Sequence, residues 1–279
     1  MKKKIILLFC LLTLSSVAYT QSNLILKDSL LYTYTRLSSS HADSTLSLLD
    51  TGCTLCVIDS TFAVDIMSLQ INNQNKILVN SNKNRLSTCI MDTVVFCDRI
   101  YKEVPCMVVD LRGIYQKYAP NFIIGADILS DRPLKFDFSS RKLYPIKNDN
   151  SIKDGIKLSW KDSKQYPGIP IGYIIFNAQI SGKEIRFAFD TGSRTNKLPL
   201  NFQPSSPELV QRESANISNK LNTRTVKYYK DITFQLGKKQ YTLNFFEGNK
   251  TFGILSLDFL KGHSFVLDYR ERNLVILPF

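Results

Sequence analysis

Two aspartates stand in matching surroundings in this 279-residue chain. The triplet Asp-Thr-Gly occurs at Asp50-Thr51-Gly52 and again at Asp190-Thr191-Gly192, and each copy follows an apolar run. Two carboxyl groups held side by side cannot both ionise, so they share one proton. Such a pair can act as base and acid together on a single water molecule. The repeated triplet therefore indicates a carboxyl dyad, provided that folding brings the two copies together.

An internal repeat surrounds the triplets. Downstream of each one we predict an apolar strand that runs into a glycine, Gly125 in the first copy and Gly253 in the second, and then into a short helical turn. Residues 135–143 also align without gaps with residues 266–274, and aspartate, aromatic, arginine and leucine recur at the same offsets. A duplicated unit of this size exceeds the periods of solenoid repeats. It predicts one domain-sized lobe that is present twice.

These motifs resemble those of pepsin-like and retropepsin-like aspartic peptidases over residues 24 to 279. The resemblance rests on the hydrophobic pair before each Asp-Thr-Gly and on Ile123-Ile124-Gly125-Ala126-Asp127, which is similar to the retropepsin form. It implies an all-β, bilobed aspartic-protease fold, with two retropepsin-like β-barrel lobes and a few short helices. One departure is Cys53, which follows the first triplet where the family has serine or alanine.

The resemblance implies an exported aspartic endopeptidase that hydrolyses peptide bonds. Asp50 and Asp190 would hold a water molecule between them, and one carboxylate would take its proton while the other carboxyl protonates the peptide carbonyl. No metal, cofactor or covalent intermediate is implied. The partner would be a peptide or protein substrate, and a fused pair of lobes favours a monomer.

The resemblance also implies supporting residues around the dyad. The threonines would bond the opposite lobe, the glycines would let backbone from the other lobe approach, and the serine would donate a hydrogen bond to Asp190. This supporting set consists of Thr51, Gly52, Thr191, Gly192 and Ser193.

Two interpretations of the segment that could form a lid over the cleft stay open. Residues 77–91 are predicted to form a hairpin with its tip at Ser81-Asn82-Lys83-Asn84, which is either the flap that closes over a peptide or a plain surface hairpin. The flap tyrosine of pepsins has no clear counterpart. With Cys53, this motivates an alternative function, a catalytically inactive peptide- or glycan-binding protein that retains the aspartic-protease fold.

The N-terminus predicts export. Residues 1–20 combine three lysines, an apolar centre and small residues at a cleavage site, which is typical of a signal peptide, and the apolar run is too short to span a membrane easily. We therefore expect a periplasmic or secreted protein without stable membrane insertion after cleavage. The two lobes are predicted at 21–147 and 154–279, joined by a polar, charged connector.

Charge and cysteine content limit which partners and which metal or disulfide sites are expected. The formal net charge is +12, but the basic residues are scattered and form no recognised nucleic-acid motif, so no nucleic-acid partner is expected. Five cysteines follow the signal peptide, and they are expected to be buried small hydrophobes or, as the alternative, to form disulfides. Cys53 and Cys56 form a C-x-x-C, but a zinc site would need two more soft ligands nearby.

Overall fold

The computed structural model describes residues 22–38, 44–79, 84–146, 152, 154–160, 172–214 and 222–279. Within these ranges the chain is built mainly from strands, and its helices are single turns. The helices are Phe62–Ile66, Leu111–Tyr115, Gln116–Tyr118, Ala126–Leu129 and Leu257–Leu260. The all-β, bilobed fold expected from the sequence is confirmed.

The first lobe is a closed barrel of six strands. The strands pair in the order β3-β4-β9-β5-β8-β7, and β7 returns to β3 at Arg36↔Val95 and Leu37↔Val94. Two further strands, β2 and β6, extend the sheet beyond the ring. In chain order the strands are β2 (Ile25–Lys27), β3 (Leu30–Leu37), β4 (Ser44–Leu49), β5 (Cys56–Asp59), β6 (Asn72–Val79), β7 (Asn84–Phe96), β8 (Arg99–Val109) and β9 (Phe122–Ile124).

The second lobe repeats this barrel strand for strand. The order is β13-β14-β19-β15-β18-β17, and β17 returns to β13 at Ala178↔Leu236 and Gln179↔Gln235, while β16 extends the sheet as β6 does. The internal repeat in the sequence is therefore a duplicated lobe. Its strands are β13 (Ile174–Ile180), β14 (Lys183–Phe189), β15 (Lys197–Leu198), β16 (Glu208–Ser214), β17 (Asn222–Leu236), β18 (Lys239–Glu247) and β19 (Gly253–Leu255).

A third sheet joins the lobes. Its order is β1-β11-β10-β20-β21-β12, and β10 of the first lobe pairs antiparallel with β20 of the second. Phe136 and Phe265 face each other in this pairing, and their rings stack with centroids 4.3 Å apart. The strands are β1 (Ser22–Asn23), β10 (Leu134–Asp137), β11 (Lys142–Pro145), β12 (Ile156–Ser159), β20 (Phe265–Asp268) and β21 (Asn273–Ile276).

The ungapped repeat at the end of each lobe forms matching hairpins in this third sheet. Asp137 Oδ1 accepts hydrogen bonds from the backbone N–H groups two and three residues later, and Asp268 Oδ1 does the same in the second lobe. These aspartates recur because each one holds a turn between two strands. They are structural residues and lie apart from the Asp-Thr-Gly triplets in the chain.

The predicted strand-glycine-turn unit is wrong in the second lobe. Gly125 follows β9, as expected, but Gly253 opens β19, and the position after β19 is Ser256. Each of the two glycines allows a close contact, but the contacting atoms differ. A Cβ at Gly125 would lie 2.6 Å from the carbonyl oxygen of Leu55, whereas one at Gly253 would overlap the ring of Phe187. The glycine by itself therefore did not identify the residue of the second lobe that matches Gly125.

Several predicted features fall outside the described residues. They are residues 1–20, the hairpin-tip residues Ser81, Asn82 and Lys83, and residues 147–151 and 153 of the connector. Asn84 is described and begins β7, opposite Val79 at the end of β6. In the part of the chain that is described, no helix has the length and apolar character that crossing a bilayer requires.

Candidate active site

Each aspartate of the two triplets follows a buried strand. β4 and β14 pair parallel with β9 and β19, so they lie inside their sheets and read as apolar runs. The backbone N–H of Asp50 donates to Ile124 O at 3.0 Å, and that of Asp190 donates to Leu255 O at 2.9 Å. The two sheets therefore present their aspartates at equivalent strand ends.

The two threonines join the triplets across the lobes. Thr51 N donates to Thr191 Oγ1 at 3.0 Å, and Thr191 N donates to Thr51 Oγ1 at 3.1 Å. Each hydroxyl then donates to the residue before the opposite aspartate, Thr51 to Phe189 O at 2.9 Å and Thr191 to Leu49 O at 2.7 Å. Both threonines are almost fully buried. These four reciprocal bonds match the expectation that the threonines bond the opposite lobe.

The glycines of the triplets make room for the opposite carboxyl group. A Cβ added at Gly52 would fall within 3.0 Å of the carboxyl carbon and both oxygens of Asp190, and one at Gly192 would do the same to Asp50. A side chain at either glycine would therefore clash with the other lobe, as expected, and the nearest atoms it would meet belong to the opposite aspartate side chain. The glycines thus set how closely the two carboxyls approach.

The two carboxyl groups face each other at the lobe junction. Gly52 N donates to Asp50 Oδ1 at 2.8 Å, and Gly192 N donates to Asp190 Oδ1 at 3.0 Å, so one oxygen of each carboxyl is fixed by its own triplet. The two side chains also lie within hydrogen-bonding reach of each other. The fold thus brings together the residues that the sequence singled out at positions 50–52 and 190–192.

Burial and mutual repulsion favour a shared proton. Desolvation raises the pKa of Asp50 well above its usual range, and the charge of Asp190 raises it further. Desolvation also raises the pKa of Asp190, but the cations of Lys197 and Lys250 act against this rise. Burial thus raises the pKa of both carboxyls, and the two nearby cations favour the charged form of Asp190.

Cys53 and Ser193 occupy equivalent places and make equivalent bonds. Cys53 Sγ donates to Leu55 O at 2.9 Å, and Ser193 Oγ donates to Thr195 O at 2.9 Å. Burial and the nearby charge of Asp50 raise the pKa of the Cys53 thiol, so it keeps its proton. Ser193 does donate a hydrogen bond to Asp190, but from its backbone N–H to the Asp190 carbonyl oxygen at 3.2 Å, because its hydroxyl donates to the turn instead.

Sequence reasoning missed two residues in this part of the molecule. Burial raises the pKa of Tyr115 well above its usual value and the charges of Asp50 and Asp190 raise it further, so this phenol lies within electrostatic range of both carboxyls. Arg194 of the second lobe reaches the same helical segment, donating to Tyr115 O at 3.3 Å and pairing with Asp28 at 3.0 Å. Neither residue lies in a repeated motif, so the repeat carried no signal for them.

The cysteines do not form a metal site or a disulfide in the described residues. All five thiols are free; four are buried and Cys53 is partly buried. The described residues contain no group of three or more histidine, cysteine, aspartate or glutamate side chains arranged to hold a metal ion.

Comparison of the sequence with protein-family models gave no match, and comparison with curated proteins gave none either.

Proposed function

We propose that this protein is an aspartic endopeptidase, which hydrolyses peptide bonds with a water molecule activated between Asp50 and Asp190. The observation that carries the proposal is the facing pair of carboxyls, each next to the glycine of the opposite triplet and held by four reciprocal threonine bonds. Such rigid, buried positioning of acid and base is the main requirement of this chemistry. One chain supplies both halves, so the proposed site needs no second copy.

The surroundings of the two carboxyls suggest distinct roles. Lys197 and Lys250 favour the charged form of Asp190, and burial without a comparable cation favours the neutral form of Asp50. In the singly protonated dyad we assign the proton to Asp50. Asp190 is then the general base, and Asp50 is the general acid.

The reaction follows from these roles. Asp190 accepts a proton from the bound water as the water oxygen attacks the peptide carbonyl carbon, and Asp50 donates its proton to the carbonyl oxygen. The product is a neutral tetrahedral gem-diol intermediate. Asp190 then donates its proton to the nitrogen of the scissile bond while Asp50 accepts a proton from a hydroxyl of the gem-diol. The C–N bond breaks to give a carboxylic acid and an amine, and the pair returns to its starting state with one proton on Asp50. No covalent bond to the protein forms at any step.

The direct test is cleavage of a peptide library by the purified protein, followed by mass spectrometry of the products. We expect internal cleavage sites, and we expect inhibition by a peptide in which a hydroxyl-bearing statine replaces the scissile bond, because its hydroxyl mimics the attacking water. Binding of the statine peptide without cleavage of any library peptide would contradict the proposal. That outcome would favour the non-catalytic peptide-binding alternative.

A further inference from the structure

The second-lobe side of the site carries a group of four cations. Lys197 lies on β15, Arg212 and Arg224 lie on β16 and β17, and Lys250 lies just before β19. The charges of the other three act on Lys197, and those of Lys197 and Lys250 act on Asp190, so the group is a single electrostatic unit beside the dyad. We call these four residues the cationic wall.

Strand register identifies the first-lobe counterparts of two of them. Val57 and Lys197 are equivalent, because each pairs with the middle residue of the short strand beside the triplet, Ile123 of β9 and Ile254 of β19. Propagating the register through β8 and β18 makes Asn84 of β7 equivalent to Arg224 of β17. A lysine and an arginine thus stand where the first lobe has two uncharged residues, so charge at these two positions is not required for the barrel to form.

The guanidinium of Arg212 is fixed at the edge of a cavity. Its Nη2 donates to Thr195 Oγ1 at 2.9 Å, and its Cζ lies 4.2 Å from the ring centroid of Phe246. Both of these residues line the same cavity of about 440 Å³, and Phe246 is also the strand partner of Lys197. The cavity therefore opens between the segment that follows Asp190 and the outer hairpin.

The wall forms no short ion pair within the described part of the protein, although the charge of Asp190 acts on Lys197 at longer range. None of its four cations lies within 4.0 Å of a carboxylate oxygen there, and Asp258, which also lines the cavity, accepts a hydrogen bond from Ser29. Arg212 and Arg224 stand directly opposite each other, an arrangement of like charges that destabilises a hairpin. An anion from outside the chain would relieve this cost.

We propose that the cationic wall binds a carboxylate side chain of the substrate, so that the enzyme prefers peptides with an acidic residue on one side of the scissile bond. This inference rests on the proposed peptidase function. Arg212 offers a fixed donor fork for the carboxylate at the cavity edge, and the charge of Lys197 acts on the dyad at Asp190.

The test uses matched peptides that carry Glu or Gln at each position on either side of the cleaved bond. We expect the parent to prefer Glu over Gln by about tenfold in kcat/KM at one position, because a charge-assisted hydrogen bond contributes this much. High salt should reduce the ratio. Arg212→Gln and Lys197→Met should each bring the Glu/Gln ratio of kcat/KM close to one. Lys183→Gln, an exposed change at the start of β14, should leave this ratio as in the parent.

Equal cleavage of Glu and Gln peptides by the parent, or a preference that survives in both wall variants, would overturn the proposal. Thermal melting of each variant separates a folding defect from a change of specificity. If no peptide is cleaved, the peptidase function itself fails, and the wall is then tested by equilibrium binding of fluorescent Glu and Gln peptides. In that case equal affinity for the Glu and Gln peptides overturns the proposal that the cationic wall binds a carboxylate.

Discussion

Asp50 and Asp190 are presented by the same barrel architecture but lie in different electrostatic surroundings. In the first lobe the aspartate lies beside the thiol of Cys53 and the phenol of Tyr115, whereas in the second lobe it lies in the field of Lys197 and Lys250. The hydrogen bonds that hold the two triplets are the same in both lobes. Duplication has thus preserved the backbone scaffold, and side-chain divergence has distinguished the two carboxyls.

This difference separates two requirements of the proposed chemistry. Facing carboxyls need matched geometry, which the triplets supply symmetrically. Assigning one carboxyl as acid and the other as base needs unequal surroundings, which the residues outside the triplets supply. Changes within the triplets should therefore have similar effects in both lobes, and changes to the surroundings should have unequal effects.

The largest symmetric effect is expected from the glycines. Gly52→Ala and Gly192→Ala would each place a Cβ within 3.0 Å of the opposite carboxyl group and force it out of position. We expect kcat/KM on a cleaved peptide to fall by at least about a hundredfold in each variant, since small misplacements at a catalytic centre have effects of this size. Gly182→Ala is the control, because a Cβ there meets nothing within 4 Å and its positive φ predicts only a stability loss. A loss of activity in only one of the two variants, Gly52→Ala or Gly192→Ala, would show that the two triplets are not equivalent.

The threonines should show the next largest symmetric effect, measured as stability. Thr51→Val leaves Phe189 O and Thr191 N without their partners, and Thr191→Val does the same to Leu49 O and Thr51 N. We expect each variant to lose about 3 kcal/mol in the free energy of unfolding, measured by urea denaturation, because two buried polar groups become unsatisfied.

Thr233→Val provides the surface control for the threonine pair, since its hydroxyl bonds Thr242 in an exposed position. It should change the free energy of unfolding by no more than about 0.5 kcal/mol. A similarly small change for Thr51→Val or Thr191→Val would show that the reciprocal bonds do not hold the lobes together.

Asymmetry should appear in the pH dependence of stability. A buried carboxyl with a raised pKa stays protonated in the folded state at a pH where the unfolded chain has released its proton, so stability falls as pH rises above about 4. Asp50→Asn should therefore raise the melting temperature at pH 7 and have little effect at pH 3. The gain from Asp190→Asn should be smaller, because Lys197 and Lys250 already stabilise its charged form. Equal gains in melting temperature at pH 3 and pH 7, or a larger gain from Asp190→Asn than from Asp50→Asn, would contradict the assignment of the proton to Asp50.

The smallest effect is expected from exchanging the thiol for the hydroxyl. Cys53→Ser keeps a donor at the place where Ser193 stands in the other lobe, and both donors reach a carbonyl two residues later. We expect kcat/KM within about twofold of the parent and stability within about 0.5 kcal/mol. A loss of activity beyond tenfold with the fold intact would show that the thiol has a function of its own.

The repeated features of the sequence predicted the scaffold of the site. The two triplets and the ungapped tails correctly indicated two lobes and the threonine contacts, because equal residues at equal offsets impose equal local structure. Gly253 misled the alignment, since a glycine marks any close approach and its sequence position does not say which one. The bond made by Ser193 depended on a turn that the residue type did not reveal.

Residues outside the repeat were beyond sequence reasoning. Tyr115 and Lys197 come within electrostatic range of the dyad, and Arg194 reaches Tyr115, through barrel closure and lobe docking, which set distances between residues far apart in the chain. The basic residues are scattered along the sequence. Their concentration beside Asp190 follows from strand register, since β15, β16 and β17 are brought together only when the second barrel closes.

The most direct test of the shared dyad is the activity of Asp50→Asn and Asp190→Asn on a peptide that the parent cleaves. Asparagine keeps the shape and the Oδ1 acceptor but cannot take or give the proton. We predict that each variant loses at least a thousandfold in kcat/KM, about 4 kcal/mol of transition-state stabilisation, while remaining folded, and that the double variant is little worse than either. Asp65→Asn, an exposed change in the first lobe, should retain the parent rate. Parent-level cleavage by either Asp50→Asn or Asp190→Asn would contradict the account.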